Sequence, residues 1–296
     1  MTKQKNILTL SLIALVFFLF VLLLVISYNF MTNGRLTFSD DRPTIAVVEL
    51  IGPIYDSKPI IRQFKKYAED DAVDAIIFRI SSPGGGVSAS QEIYEEVRKV
   101  RNSGKPILAS LGAVAASGGY YAALGATKIM SNPGTVTGSI GVIVGLPNYE
   151  GLMNKLGLSY VNITSGPHKD SGSPYRELKE DDREMFQNVV DDLYDQFVKA
   201  VSSERNLSED RVREVADGRI YTGSQAKELG LVDTLGSYED ALQYAVELAG
   251  LSGKPKLIKE RRKQPTIFDL LFGDIRNALR VLEPIALPEY KLSINF

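Results

Sequence analysis

Short apolar runs alternate with amphipathic helical stretches from residue 44 onward, and few folds accept that order. Thr44 to Ile51, Val73 to Ile80 and Lys105 to Ser110 read as strands. They are almost continuously apolar, as in parallel sheets that are covered on both faces. Between them, Pro59 to Ala68 places Ile60, Ile61, Phe64 and Tyr67 at helical spacing. Ser88 to Asn102 does the same with Ile93, Val97 and Val100. Lys128 to Met130 and Ser139 to Val144 are further strand candidates. Tyr149 to Leu156 reads as helical and Leu158 to Ile163 as extended. A long helix is expected over Glu180 to Glu204, with a stripe of Met185, Val189, Leu193, Phe197 and Val201. Another runs from Ser208, a plausible cap, to Ala216, and one more from Tyr238 to Ala249. The pattern indicates an α/β domain with a largely parallel sheet and flanking helices. Ligands of such sheets sit at the strand ends.

Two glycine-rich elements fall at such ends. Ser81-Ser-Pro-Gly-Gly-Gly-Val87 follows the second strand, and Ala113-Val-Ala-Ala-Ser117-Gly-Gly-Tyr120 follows the third. Either alone reads first as a tight strand–helix turn. Side by side they offer backbone N–H donors and one hydroxyl among residues too small to hide it, which are the parts of an oxyanion site with a nucleophile. Ser117 stands at the start of an expected helix, whose dipole favours negative charge. The chain has no cysteine and a single histidine, His168. A base for Ser117 is therefore that histidine or a lysine. Tyr120 and Tyr121 read as packing residues.

The absence of cysteine excludes disulfides, thiolate catalysis and cysteine–zinc sites. No phosphate-binding loop of the GxxxxGK[ST] kind and no metal-spaced cluster of His, Asp and Glu is present. With a net charge of −2, nothing suggests nucleic-acid binding. Lys259 to Lys263 is basic but holds an acid, and reads as a solvated connector.

The N-terminus has a different character. Ile7 to Ile26 is interrupted only by Thr9 and Ser11, the length that spans a bilayer. It is too long for the core of a cleaved signal peptide, and Ser27-Tyr-Asn-Phe30 is a poor cleavage site. Lys3 and Lys5 precede it, so an uncleaved anchor would leave the N-terminus in the cytoplasm and the bulk outside.

Several motifs, in order, resemble the signal peptide peptidase A family, membrane-anchored serine proteases of the ClpP/crotonase superfold. They are Ser82-Pro-Gly-Gly, Ala116-Ser117-Gly-Gly-Tyr-Tyr, Thr137-Gly-Ser-Ile-Gly-Val142, Lys169-Asp-Ser-Gly-Ser-Pro174, Gly218-Arg-Ile-Tyr-Thr-Gly223 and Gly230-Leu-Val-Asp233. The resemblance covers residues 44–250 and is to the short, single-unit form. It implies a ClpP/crotonase-like fold and a Ser–Lys dyad. Ser117 would be the nucleophile, Lys169 the general base and Ser139 the group orienting the lysine. Gly118 with Gly84 or Gly85 would supply the oxyanion N–H groups. An extended substrate would add as a strand beside Gly85, Gly86 and Val87 or beside Ile140, Gly141 and Val142. No metal or organic cofactor is implied. Partners would be signal peptides or other membrane-derived peptides, the cytoplasmic membrane and further copies of the chain in a ring, with neighbours completing each site.

An ordinary lysine, with a pKa of about 10.4, is a poor base at neutral pH. Desolvation lowers it, and an uncharged hydroxyl partner suits that better than a carboxylate. Asp170 must therefore turn away from Lys169. His168 reads as an exposed loop residue. The expected layout is a cytoplasmic N-terminus (1–6), an anchor (7–28), a linker (29–43), the protease domain (44–250) and a C-terminal extension (251–296). The extension's apolar stripe, Ile267 to Leu282, reads as packing on the domain or a subunit contact ahead of membrane association, and no sequence feature supports a self-peptide in the cleft. Two other classes share the fold: an acyl-CoA hydratase or isomerase, and a non-catalytic scaffold.

Overall fold

A computed structural model describes residues 13–25, 27–28, 42–260 and 289–291. The chain divides into two units, residues 1–42 and 43–296. In the first, residues 13–25 form helix α1 with exposed apolar side chains. Among the described residues, no helix is long and apolar enough to cross a membrane. The expected span of 7–28 lies partly outside them, and the expected stripe over 267–282 lies wholly outside.

The second unit is built on a mostly parallel sheet. Its strands are β1 (Thr44–Ile51), β2 (Ala75–Ser82), β4 (Ile107–Ala116), β5 (Lys128–Ser131), β6 (Val136–Gly138), β7 (Ile220–Thr222), β8 (Thr234–Leu235) and β9 (Lys256–Lys259). The order is β7-β6-β4-β2-β1-β9. Strand β4 changes partner midway. Leu108 to Leu111 pair with β5, and Val114 to Ala116 pair with β6. In this sheet, among the described residues, only β7 runs antiparallel to its neighbour, β6. A second, two-stranded antiparallel sheet joins β3 (Gly84–Gly86) to β10 (Glu289–Lys291).

Successive strand residues point to opposite faces, and both faces are covered. Ala46, Val48, Ile76 and Phe78 enter the larger core with helices α2 (Lys58–Ala68), α3 (Val87–Asn102), α4 (Gly118–Ala123) and α6 (Glu180–Arg205). Ile45, Ala75, Ile77 and Leu108 enter a smaller core against α9 (Tyr238–Leu248). Phe64 of α2 meets Phe78 of β2 edge to face, with ring centroids 5.0 Å apart. The expected face of α3 is buried at Ile93, Val97 and Val100. Helix α7 (Glu209–Val215) starts where expected, its first turn capped by the Ser208 hydroxyl, which accepts from the Arg211 N–H. Helices α5 (Glu150–Lys155) and α8 (Gly223–Glu228) complete the set.

Three expectations shift. The strand expected over Ser139 to Val144 lies instead at β6, because Gly138 (φ +78°) and Ser139 (φ +50°) turn the chain out of the extended region. Leu158 to Ile163 joins no ladder, and its large apolar side chains are exposed. The stripe on α6 is buried only at Phe197 and Val201, while Val189 is 43% exposed.

Candidate active site

Strands β2, β4 and β6 are neighbours, so their C-terminal ends open on one edge of the sheet. At the end of β4 the chain turns sharply into α4, and Ser117 takes φ +52° and ψ −119°. A non-glycine residue in such a region costs on the order of 1–3 kcal/mol and persists only where its surroundings enforce it. Here they do. The Ser117 N–H donates to the Gly138 carbonyl at 2.8 Å, and the Ser117 carbonyl accepts from the Tyr121 N–H at 2.9 Å. Gly119 sits against β2 so closely that a Cβ would lie 2.8 Å from the Ser82 carbonyl oxygen. Tyr120 pins α4 from below, its hydroxyl donating to the Leu231 carbonyl at 2.7 Å. Burial pushes that phenol's pKa well above its usual value. Tyr121 packs against Tyr94 and Phe197. Both tyrosines are packing residues, as expected.

The result is a buried hydroxyl, 1% exposed, whose Oγ has no hydrogen-bond partner. Leaving a buried polar atom unsatisfied typically costs about 1–3 kcal/mol. Such an atom in a strained turn is expected where chemistry has a use for it.

Beside it runs the glycine strand β3. The Gly84 N–H donates to Ser82 Oγ at 3.1 Å, and the Gly86 N–H to the Ile54 carbonyl at 2.8 Å. Those two donors are engaged. Gly85, in register with Tyr290 of β10, turns its N–H away from Ile54 toward that strand, and the Gly118 N–H, at the first position of α4, has no acceptor within the helix. Helix α4 is only six residues long, so individual N–H groups matter more here than a helix dipole. A Cβ on Gly85 would lie 2.2 Å from the Ile54 oxygen, which confines this position to glycine.

At the end of β6, Ser139 is buried in a left-handed conformation, its N–H donating to the Arg219 carbonyl at 2.8 Å. It lines a cavity of about 470 Å³ with Gly141, Val142, Asp191, Tyr194 and Asp217. Arg219 forks onto Asp217 and holds its pKa down at about 2. Val87 and Ile140 have core side chains, so they offer a ligand only backbone. The Ile140 carbonyl already accepts from the Gly218 N–H at 3.1 Å.

Lys169 stands apart. It lies in the loop before α6, exposed, and its side chain makes no hydrogen bond or ion pair among the described residues. No hydrogen bond joins it to Ser117 within the chain. His168 is exposed as well. The neighbouring carboxylate of Asp170 is turned onto Arg176, as a base at Lys169 requires. Sequence reasoning missed Arg176, its second partner Asp182 and the strand Glu289–Lys291. The first two carry no motif of their own, and the third depends on pairing across two hundred residues.

The model of peptidase family S49 matches residues 99–252. The chain belongs to peptidase family S49. Its relatives agree. A Synechocystis sp. protein named as a protease is 42% identical over 86% of this chain and 94% of its own length. An Enterococcus faecium protein named as a signal peptide peptidase is 44% identical over 64% of this chain and 55% of its own. Protease 4 of Salmonella typhi is 32% identical over 84% of this chain but 41% of its own length. The chain thus spans nearly all of one relative and about half of the others. It is a serine protease. In this S49 peptidase the matched span contains Ser117, Ser139 and Lys169, while the glycine strand precedes it.

Proposed function

We propose that this S49 peptidase is a membrane-anchored endopeptidase that cuts extended peptides with a Ser–Lys dyad, the serine and the lysine coming from neighbouring copies of the chain. The observation that carries the reading is the buried, unpartnered Ser117 Oγ beside the glycine strand. Lys169, exposed on its loop in the same chain, supports delivery from outside. So do the exposed apolar side chains that precede it, Leu152, Leu156, Leu158, Tyr160, Val161 and Ile163, a surface suited to a second copy.

In this mechanism a peptide lies along β3. The chain's own residues 289–291 pair there antiparallel, which supports that edge as a strand acceptor. Ser117 Oγ attacks the scissile carbonyl while a neighbour's Lys169 takes its proton. The carbonyl oxygen becomes an oxyanion held by the Gly85 and Gly118 N–H groups. Lys169 returns the proton to the leaving amine, and water, activated by the same amine, hydrolyses the acyl-enzyme. Docking removes the lysine from water, which favours its neutral form, and the Ser139 hydroxyl orients it.

The apolar run of residues 7–26 behind Lys3 and Lys5 supports an anchor with the peptidase domain at the outer face of the cytoplasmic membrane. Signal peptides left in the membrane are the substrates that fit both this position and the name of the Enterococcus relative.

The test uses the full chain with a fluorogenic peptide of small and apolar residues, then with synthetic signal peptides. Expected are turnover, labelling of Ser117 by a serine-directed phosphonate, and loss of turnover in Lys169→Ala. A folded protein that takes no label, or a Lys169→Ala variant of undiminished activity, would reject the mechanism. Cutting of the fluorogenic peptide without cutting of signal peptides would reject the substrate class alone.

A further inference from the structure

The residue after the assigned base is an acid, and a free carboxylate beside an amine favours the ammonium. The fold answers this with one side chain. All five N–H donors of the Arg176 guanidinium are used. Nε donates to Asp170 Oδ2 at 3.0 Å, and Nη2 to Asp170 Oδ1 at 3.0 Å and to the Asp170 carbonyl at 3.1 Å. Nη1 donates to Asp182 Oδ2 at 2.6 Å and to the Glu177 carbonyl at 2.9 Å.

Asp182, in the first turn of α6, is buried and saturated in turn. Its Oδ1 accepts from the Ser171 hydroxyl at 2.5 Å, and its Oδ2 also accepts from the Lys179 N–H at 3.2 Å. The loop that carries Lys169 is thus tied at Asp170 and Ser171 to the start of a 26-residue helix.

We propose that Arg176 is a positioning residue for the catalytic lysine: by forking onto Asp170 and bridging it to Asp182, it takes the adjacent carboxylate away from Lys169 and fixes the loop that presents the amine. The proposal rests on the assignment of Lys169 as base. The charged groups facing Asp170 are Arg176, Lys179 and Asp182, and those beside Lys169 in the chain are His168 and Asp170. Arg176 is the only one of them that engages both carboxylates at once. A lysine in its place would bring a point charge without a fork.

The experiment measures kcat/KM against pH for the full-length protein, for Arg176→Ala, for Arg176→Ala/Asp170→Asn and for Lys169→Ala. In Arg176→Ala the freed carboxylate stabilises the ammonium, so the rising limb moves to higher pH by about one unit and activity at neutral pH falls about tenfold. Adding Asp170→Asn removes that carboxylate and returns the limb to its wild-type position. A limb that does not move, or that stays displaced in the double variant, leaves Arg176 as loop packing and overturns the proposal. If Arg176→Ala does not fold, Arg176→Gln, which keeps two donors and drops the charge, is expected to show the same displaced limb, and an undisplaced limb there overturns the proposal. An active Lys169→Ala would remove the base assignment itself. A dead Lys169→Ala with an unmoved limb in Arg176→Ala would refute the positioning role alone.

Discussion

Ser117 combines two costs at one residue, a left-handed backbone and a buried hydroxyl with no partner. Both are tolerable only if Oγ has a use, so Ser117→Ala is expected to lower kcat/KM by about 10³-fold or more. Lys169→Ala should match it, while the exposed His168→Ala stays within a few-fold. Steady-state kinetics with circular dichroism as the folding control decides. The glycine strand gives a sharper contrast. A Cβ on Gly85 would meet the Ile54 carbonyl at 2.2 Å, whereas one on Gly86 would lie 3.6 Å from it, an ordinary contact. Gly85→Ala should therefore displace an oxyanion donor and cost about 10²-fold in kcat, with Gly86→Ala close to wild type. Equal effects from the two would point away from Gly85 as a donor. At this scale the placement of Ser117 and of the glycines at the ends of strands was legible, because the apolar runs that precede them mark where the strands stop. Where each N–H points was not: Gly84 and Gly85 are identical in sequence, and only the fold turns the first onto Ser82 Oγ and the second toward β10.

Elements were legible in proportion to how much they bury. Strands β1, β2 and β4 fill two cores, and their apolar runs announced them. Helix α6 was legible as a helix but not in its packing, since the apolar residues of its N-terminal half are half-buried at Met185, Phe186 and Val190 and exposed at Val189. The loop before it is held by charge instead. Arg176 first, and Ser171 next, keep Asp182 well below the usual carboxylate range, and Arg176 holds Asp170 down as well. A carboxyl depressed in the folded state adds stability that is complete above its unfolded value near 3.9 and fades as pH falls toward the folded one. Hydrogen exchange of residues 166–176 should then be insensitive to pH from about 7 to 5, after correction for intrinsic rates, and lose protection below about 4. Protection lost already near pH 6 would mean that another group holds the loop. Strand β10 belongs to this scale too. If substrate adds along β3, residues 289–291 occupy that edge, and deleting 289–296 is expected to lower KM several-fold and leave kcat unchanged. A raised KM would instead assign the tail a supporting role.

At the scale of the whole molecule, the described residues of one chain hold a buried Ser117 Oγ without a hydrogen-bond partner and, apart from it, an exposed Lys169. If copies exchange these groups around a closed ring, each site takes Ser117 from one chain and Lys169 from the next. That arrangement makes a quantitative claim about mixtures. Ser117→Ala keeps its lysine and Lys169→Ala keeps its serine, and each is inactive alone. Co-assembled in equal amounts, a site works only where a Lys169→Ala chain supplies serine to a Ser117→Ala neighbour, which random assembly achieves in about a quarter of sites. About a quarter of wild-type activity should therefore return on mixing through an unfolding and refolding step, and very little on mixing preformed assemblies. A dyad formed within one chain would recover nothing at any ratio, because no chain in the mixture carries both groups. The exposed apolar side chains of Leu158 and Ile163 give the same claim a structural check. Ile163→Asp should leave the fold intact, lower the sedimentation coefficient toward that of the single chain and abolish turnover together, since in this arrangement losing the neighbour is losing the base.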